Sequence, residues 1–190
     1  RTADGDEHWT DVTPTVPVPA RGHKVSRVEA GHADANVAYV AWDGQHDGIY
    51  TPIIYRTVDG GATWQSIAGN LPATEPVRLV REDPVNNDVL YAGTEHGLWL
   101  SLDRGKSWSA FGDLPTVAVD DIVIEPKTHS IVLATQGRSL FIIDRARPLT
   151  QITRQVLAEP LHLFAPDTAI ESEPLPSYDE WEGSGQFRAP

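Results

Sequence analysis

Glu95 and Asp121 are the two carboxylates of this chain whose surroundings point most directly to chemistry. Paired carboxyl groups at a suitable separation can act as acid and base, or as acid and nucleophile, in glycoside hydrolysis. Arg138 adds a planar guanidinium able to hold a carboxylate or a sugar hydroxyl. Trp42 and Trp99 offer flat faces for sugar rings, and Asp43, His46 and His96 complete a polar, partly acidic set of binding candidates. The competing reading is that Glu95 pairs with Arg138, or that both cap turns in a wet channel, since no spacing fixes how far apart the groups lie. Neither carboxylate is assigned as catalytic on this basis.

Other chemistries are poorly served. His23, His32, His46 and His96 lack the His-x-x-x-His spacing of a zinc site. The segment Asp43-Gly44-Gln45-His46-Asp47-Gly48 looks superficially like a calcium loop, but it lacks the regular oxygen ligands and the terminal Glu. No metal and no cofactor is expected. No Ser/His/Asp arrangement stands out, and the glycines punctuate strands instead of opening helices, so no phosphate cradle forms. The net charge of -12 and pI near 4.8 oppose binding to nucleic-acid phosphates or anionic membranes. Cysteine is absent, which removes disulfides and thiolate sites. No apolar run approaches the roughly 20 residues of a membrane helix.

Short alternating runs must position these side chains. Strands are predicted over Lys24–Ala30, Asn36–Trp42, Ile53–Thr57 and Thr63–Ile67, then over Val77–Arg81, Val89–Gly93, Leu98–Leu102 and Ser107–Phe111. A third set covers Val117–Glu125, Ile131–Thr135 and Leu140–Asp144. Thr13–Ala20 reads as a proline-spaced extended connector, Thr150–Leu157 as a short helix and Leu161–Phe164 as an apolar strand. Strands running up and down place alternate turns at opposite ends. One end then collects Asp43–Gly48, Glu95-His96, Gln136-Gly137-Arg138 and the connectors Asn70–Glu75 and Asp113–Thr116, with Asp120 and Asp121 nearby.

The opposite end carries a repeated hairpin. In Thr57-Val58-Asp59-Gly60-Gly61-Ala62-Thr63-Trp64, Asp59 can accept bonds from backbone N–H groups downstream, and Gly61 can adopt positive φ. Thr57 and Thr63 add hydroxyl bonds across the neck, and Trp64 anchors the return strand. The pattern recurs as Ser101-Leu102-Asp103-Arg104-Gly105-Lys106-Ser107-Trp108, with Ser101, Asp103, Gly105, Ser107 and Trp108 in the same places. A degraded copy runs from Thr2 through Asp4 to Trp9, with Asp6 in the glycine position and His8 in the hydroxyl position, which suggests a looser turn. Trp9, Trp64 and Trp108 are expected to pack between blades.

This pattern, Ser/Thr-x-Asp-x-Gly-x-Thr/Ser-Trp, is similar to the Asp-box (BNR repeat) of sialidases, sortilin-type receptors and bacterial polysaccharide hydrolases. The resemblance implies an all-β fold, a partial β-propeller of four-stranded antiparallel blades in which the hairpins are structural and lie away from the binding face. The segments Leu79–Leu100 and Ile122–Asp144, and the wording Gly185-Gln186-Phe187-Arg188-Ala189-Pro190, resemble large bacterial sortilin-like and glycosyl-hydrolase-like secreted proteins. A sialidase arginine cluster and Tyr–Glu pair cannot be matched here.

Residues 1–165 are read as about three blades and 166–190 as an acidic linker or tail. The absence of methionine and the immediate hairpin suggest a piece of a longer chain, whose remaining blades and a following β-sandwich would be its partners. The function favoured at this level is an extracytoplasmic binding scaffold for a protein, peptide or glycan. The alternatives are part of an exo-acting glycoside hydrolase and a purely structural module.

Overall fold

The computed structural model describes residues 1–2, 4–5, 7–17 and 24–166 of the 190. Strands β1 (Lys24–Ala30), β2 (Ala38–Asp43), β3 (Ile53–Thr57) and β4 (Gln65–Ser66) form an antiparallel sheet in sequence order. A second sheet repeats it with β5 (Val77–Glu82), β6 (Leu90–Thr94), β7 (Leu98–Ser101) and β8 (Ser109–Ala110). The third holds β9 (Val119–Ile124), β10 (Ile131–Thr135) and β11 (Leu140–Ile143). These are successive blades of a β-propeller, as expected.

The register makes the repetition quantitative. Each inner pair carries a one-residue irregularity near its start, at Val25/Arg27, at Val77/Leu79 and opposite Ala134/Thr135. Val28 pairs with Val40, Val80 with Ala92, and Ile122 with Leu133. Since side chains alternate between faces, these pairs occupy one face of their respective sheets. Val80 and Ala92 pack against Tyr39, Ala41 and Ile54 of the first sheet. Ile122 and Leu133 pack against Leu79, Tyr91, Leu98 and Leu100 of the second. Each fully buried Leu, Ile or Val contributes roughly 1.5–3 kcal/mol, so these two layers hold the stack together.

The aspartate hairpins close as their residue types dictate. Asp59 Oδ1 accepts from Thr57 Oγ1 at 2.8 Å and Thr63 N at 2.9 Å, while Oδ2 accepts from Thr63 Oγ1 at 2.6 Å. Asp103 repeats this with Ser101 Oγ at 2.8 Å, Ser107 N at 2.8 Å and Ser107 Oγ at 2.6 Å. Gly105 sits at φ +83°, and a Cβ there would lie 2.8 Å from Ile67 Cβ of the preceding blade. Positive φ and close approach both require glycine at that position. Trp108 is buried and donates from Nε1 to Ile67 O at 2.8 Å, and Trp64 donates to Thr15 Oγ1 at 3.1 Å.

The first copy is tighter than its sequence suggests. Thr2 Oγ1 donates to Asp4 Oδ1 at 2.8 Å, and His8 Nδ1 lies 2.6 Å from Asp4 Oδ2, where Thr63 and Ser107 place hydroxyls. Histidine thus substitutes for the hydroxyl. Trp9, by contrast, does not pack between blades: it is 70% exposed, because no described sheet covers it.

Three further expectations need correction. Thr13–Thr15 forms a 3-10 turn instead of extended chain, since Pro14 at its start has its φ already set for a helical turn. The expected helix over Thr150–Leu157 divides into a 3-10 helix, Arg147–Gln151, and α1, Arg154–Ala158, because Ile152 is extended between them. Thr153 caps α1 by accepting from Val156 N at 3.2 Å. Leu161–Phe164 is not a strand; Leu161 and Leu163 are exposed, and no described strand pairs with them. Most of the acidic tail, from Asp167 onward, lies outside the described residues.

Candidate functional site

The loops after β2, β6 and β10 gather at one end of the stack, as the alternation of turns requires, and one arginine ties them together. Arg78 stands at the irregular position of β5, the register equivalent of Ser26 in β1 and Asp120 in β9. It donates from Nε to Glu95 Oε2 at 2.8 Å, from Nη1 to Asp120 Oδ1 at 2.5 Å and from Nη2 to Gln136 Oε1 at 3.1 Å. Gln45 Nε2 reaches the same Glu95 oxygen at 3.2 Å. Asp43 fixes the Gln45 loop by accepting from Gln45 N at 2.9 Å. Side chains from three blades therefore form one polar strip.

Next to this strip, Glu75 is a buried carboxylate that accepts from Thr94 Oγ1, with His96 Nδ1 3.0 Å away. His96 itself is exposed on its outer side. His46 and Arg138 are both exposed at the same end.

A second charged group lies along the inner strands. Arg81 donates from Nη1 to Glu29 Oε2 at 2.5 Å, from Nη2 to Asp121 Oδ1 at 2.9 Å and from Nε to Ile122 O at 2.9 Å. Arg27 also bonds Asp121. One guanidinium thus joins all three sheets. Burial alone would push the Asp121 carboxyl up, but the Arg27 bond, the Ile122 N–H and the two positive charges outweigh it and hold it below its ordinary value. Glu29 goes the other way: burial raises its carboxyl despite Arg81.

The structure separates the expected site residues into distinct groups. Glu95 is paired, but with Arg78 and not with Arg138, which makes no ion pair with any described residue. Glu95 and Asp121 belong to different arginine networks. Trp42 is no open sugar platform: it is buried, edge-on to Tyr55 at 5.7 Å between ring centres, because alternation turns it onto the sheet face. Trp99 is half-buried against the layer between the first two sheets. Arg78, Arg81 and Arg27 were not singled out from the sequence. Their signal was a cation recurring within the inner strands, where a repeat alignment would set Arg78 against Asp120. Among the described residues, Asp4, Glu7 and His8 are the one grouping with metal-like spacing; all are exposed, and Asp4 and His8 already bond each other in their turn.

No protein-family model matches the chain. It is 31% identical over 102 residues to the xyloglucanase Xgh74A of Acetivibrio thermocellus, covering 48% of this chain and 12% of that protein. It is 29% identical over 119 residues to a xyloglucanase of Hypocrea jecorina, covering 56% and 14%. Among solved structures, an ancestral GH74 enzyme superposes with a TM-score of 0.53 at 27% identity, over 63% of this chain and 14% of that one. A GH74 enzyme of Niastella koreensis gives 0.52 at 18% identity, which speaks to fold alone, over 63% and 21%. The chain thus spans a small part of the relatives it matches. These likenesses favour the hydrolase alternative over the binding scaffold preferred from sequence. No helix among the described residues is long and apolar enough to cross a membrane.

Proposed function

We propose that this chain is a segment of a glycoside-hydrolase propeller acting on a xyloglucan-type polysaccharide, and that it supplies a glycan-holding wall at the loop end. The observation that carries the reading is the likeness to xyloglucanases over 102 residues. The polar strip agrees with it. Gln45, Asp120, Gln136 and Arg138 offer donors and acceptors to sugar hydroxyls, and His46 and His96 flank them.

Glu95 and Asp121 serve here as positioning anions. Each is paired with arginine, and the Asp121 carboxyl, held below its ordinary value by the Arg27 bond, the Ile122 N–H and two positive charges, is a poor proton donor near neutrality. On this reading the hairpins are Asp-box turns of the BNR type, and the likeness to sortilin-type proteins rests on the hairpin pattern alone. Residues 1–165 form the blades and 166–190 a linker, with further blades and a following β-sandwich as partners. A polymeric substrate places the work outside the cytoplasm, since such a chain does not cross a membrane.

Affinity electrophoresis in gels containing xyloglucan tests this, alongside release of reducing ends. Xyloglucan should retard the protein. The double change His46→Ala with Arg138→Ala should weaken retardation roughly fivefold for each lost bond of about 1 kcal/mol. Mobility indifferent to xyloglucan would refute the reading.

A further inference from the structure

Where the first and second blades meet at the hairpin end, a polar cleft of about 560 Å³ opens beside α1. Arg56 of β3 stands on one wall, Asp103, Arg104 and Lys106 of the second hairpin on the other, and Asp88 and Arg154 complete the rim. Both walls belong to blades already packed on each other, so the cleft is not a sheet face for a neighbouring blade. In a chain of net charge -12, the local sign is reversed, with four cations beside two carboxylates. Both carboxylates are engaged. Asp103 accepts within its turn from Ser101 and Ser107, and Asp88 bonds Arg104. Lys106 and Arg154 make no ion pair with any described residue. Arg56 lies over the Tyr39 ring at 5.9 Å, and its Nε is buried with no hydrogen-bond partner among the described residues. An unmet donor of this kind is uncommon in a folded protein. Arg104 adds an independent sign. It sits at φ +63°, in the left-handed region where the other two hairpins hold Gly5 at +71° and Gly60 at +67°. A side chain is strained there, and strain kept in one copy of a repeat points to a use for that side chain. Arg154 is also placed deliberately: Asn86 Nδ2 donates to Ile152 O at 2.8 Å and ties the chain entering α1 to the second blade.

We propose that this cleft binds an organic dianion of disaccharide size, its charge carried by two carboxylates or by one phosphate ester. The two surplus cations set the charge, and guanidinium forks match the oxygens of either group. The volume sets the size, since pockets for small organic ligands run to roughly 300–1,000 Å³. Gln65 and Ser66 line the same cleft and supply neutral partners for hydroxyls. The site lies at the opposite end from the glycan-holding loops, and it stands or falls separately from them.

Isothermal titration calorimetry of the 190-residue chain with digalacturonate and with sucrose phosphate tests the proposal. One of the two should bind saturably, roughly tenfold more tightly than inorganic phosphate, because the sugar rings add hydrogen bonds. The one that binds identifies the anionic group, and uncharged sucrose should give no heat of binding. Lys106→Ala and Arg154→Ala, both on the surface, should each weaken binding roughly tenfold with unchanged far-UV circular dichroism. Arg104→Gly should weaken it as much while melting no lower than the unaltered protein, because glycine relieves the left-handed φ. No saturable binding of either dianion would overturn the proposal. So would an affinity no better than that of inorganic phosphate, which marks an adventitious ion only. Binding untouched by all three variants would overturn it too, as would an Arg104→Gly protein that melts lower yet binds as before, since that arginine would then serve its turn alone.

Discussion

Asp59 shows how one side chain can set a turn and leave a mark on acid stability. Hydrogen bonds from Thr63 and Thr57 lower its carboxyl from 3.8 to about 2. A depressed carboxyl stabilises the fold fully above the unfolded value, and that contribution is lost as pH falls through the folded one. Thermal unfolding between pH 5 and pH 2 should therefore show a steeper acid limb in the unaltered protein than in Asp59→Ala. Parallel limbs would contradict the bonds assigned to Asp59. The tryptophans make a second contrast at this scale. Trp108→Ala removes a buried ring and should cost about 3–5 kcal/mol in urea unfolding. Trp9→Ala should stay within about 0.5 kcal/mol, because its ring is exposed. Equal losses would mean that the three hairpin tryptophans share one role after all.

Between elements, Arg81 joins Glu29, Asp121 and Ile122 O across three sheets. Arg81→Ala leaves the buried Glu29 without its main counter-ion and should cost about 3 kcal/mol, the low end for breaking a buried pair. The pH dependence has a definite sign. Glu29 has a folded value raised above 4.5, so its contribution is favourable below that value and is lost as pH rises through it. The deficit of Arg81→Ala should thus be larger at pH 8 than at pH 5, and a deficit independent of pH would remove Glu29 from the explanation. Strands such as Lys24–Ala30, Ile53–Thr57 and Ile131–Thr135 were readable to the residue, because alternating apolar runs end at turn formers. The partner of Glu95 was not. Arg138 lies on the neighbouring loop in any blade scheme, but Arg78 is on the same sheet, and only the bulged register turns its side chain toward the loops. Leu161–Phe164 misled for the converse reason: its apolar pattern is strand-like, but a strand also needs a neighbour to hydrogen-bond, which no pattern can supply.

As a whole molecule, the chain is an arc of propeller, three blades held by two apolar layers and pinned by arginines at their inner edges. The blade scheme alone located the loop end and the hairpin end, because the up-and-down course of the strands leaves no other choice. What the scheme could not supply was activity. Asp59 and Asp103 bond within their own turns, and the carboxylates that looked catalytic are held by guanidinium groups. The hydrolase reading therefore rests on likeness to xyloglucanases together with the polar strip, and it places glycan contact at the loops. The most direct measurement is a titration of 15N-labelled protein with xyloglucan oligosaccharides, followed by amide shifts. Saturable shifts should cluster at Gln45, His46, Glu95, His96 and Gln136–Arg138, with the Asp59 and Asp103 hairpins unmoved. Shifts confined to the hairpin end, or none at saturating oligosaccharide, would contradict it.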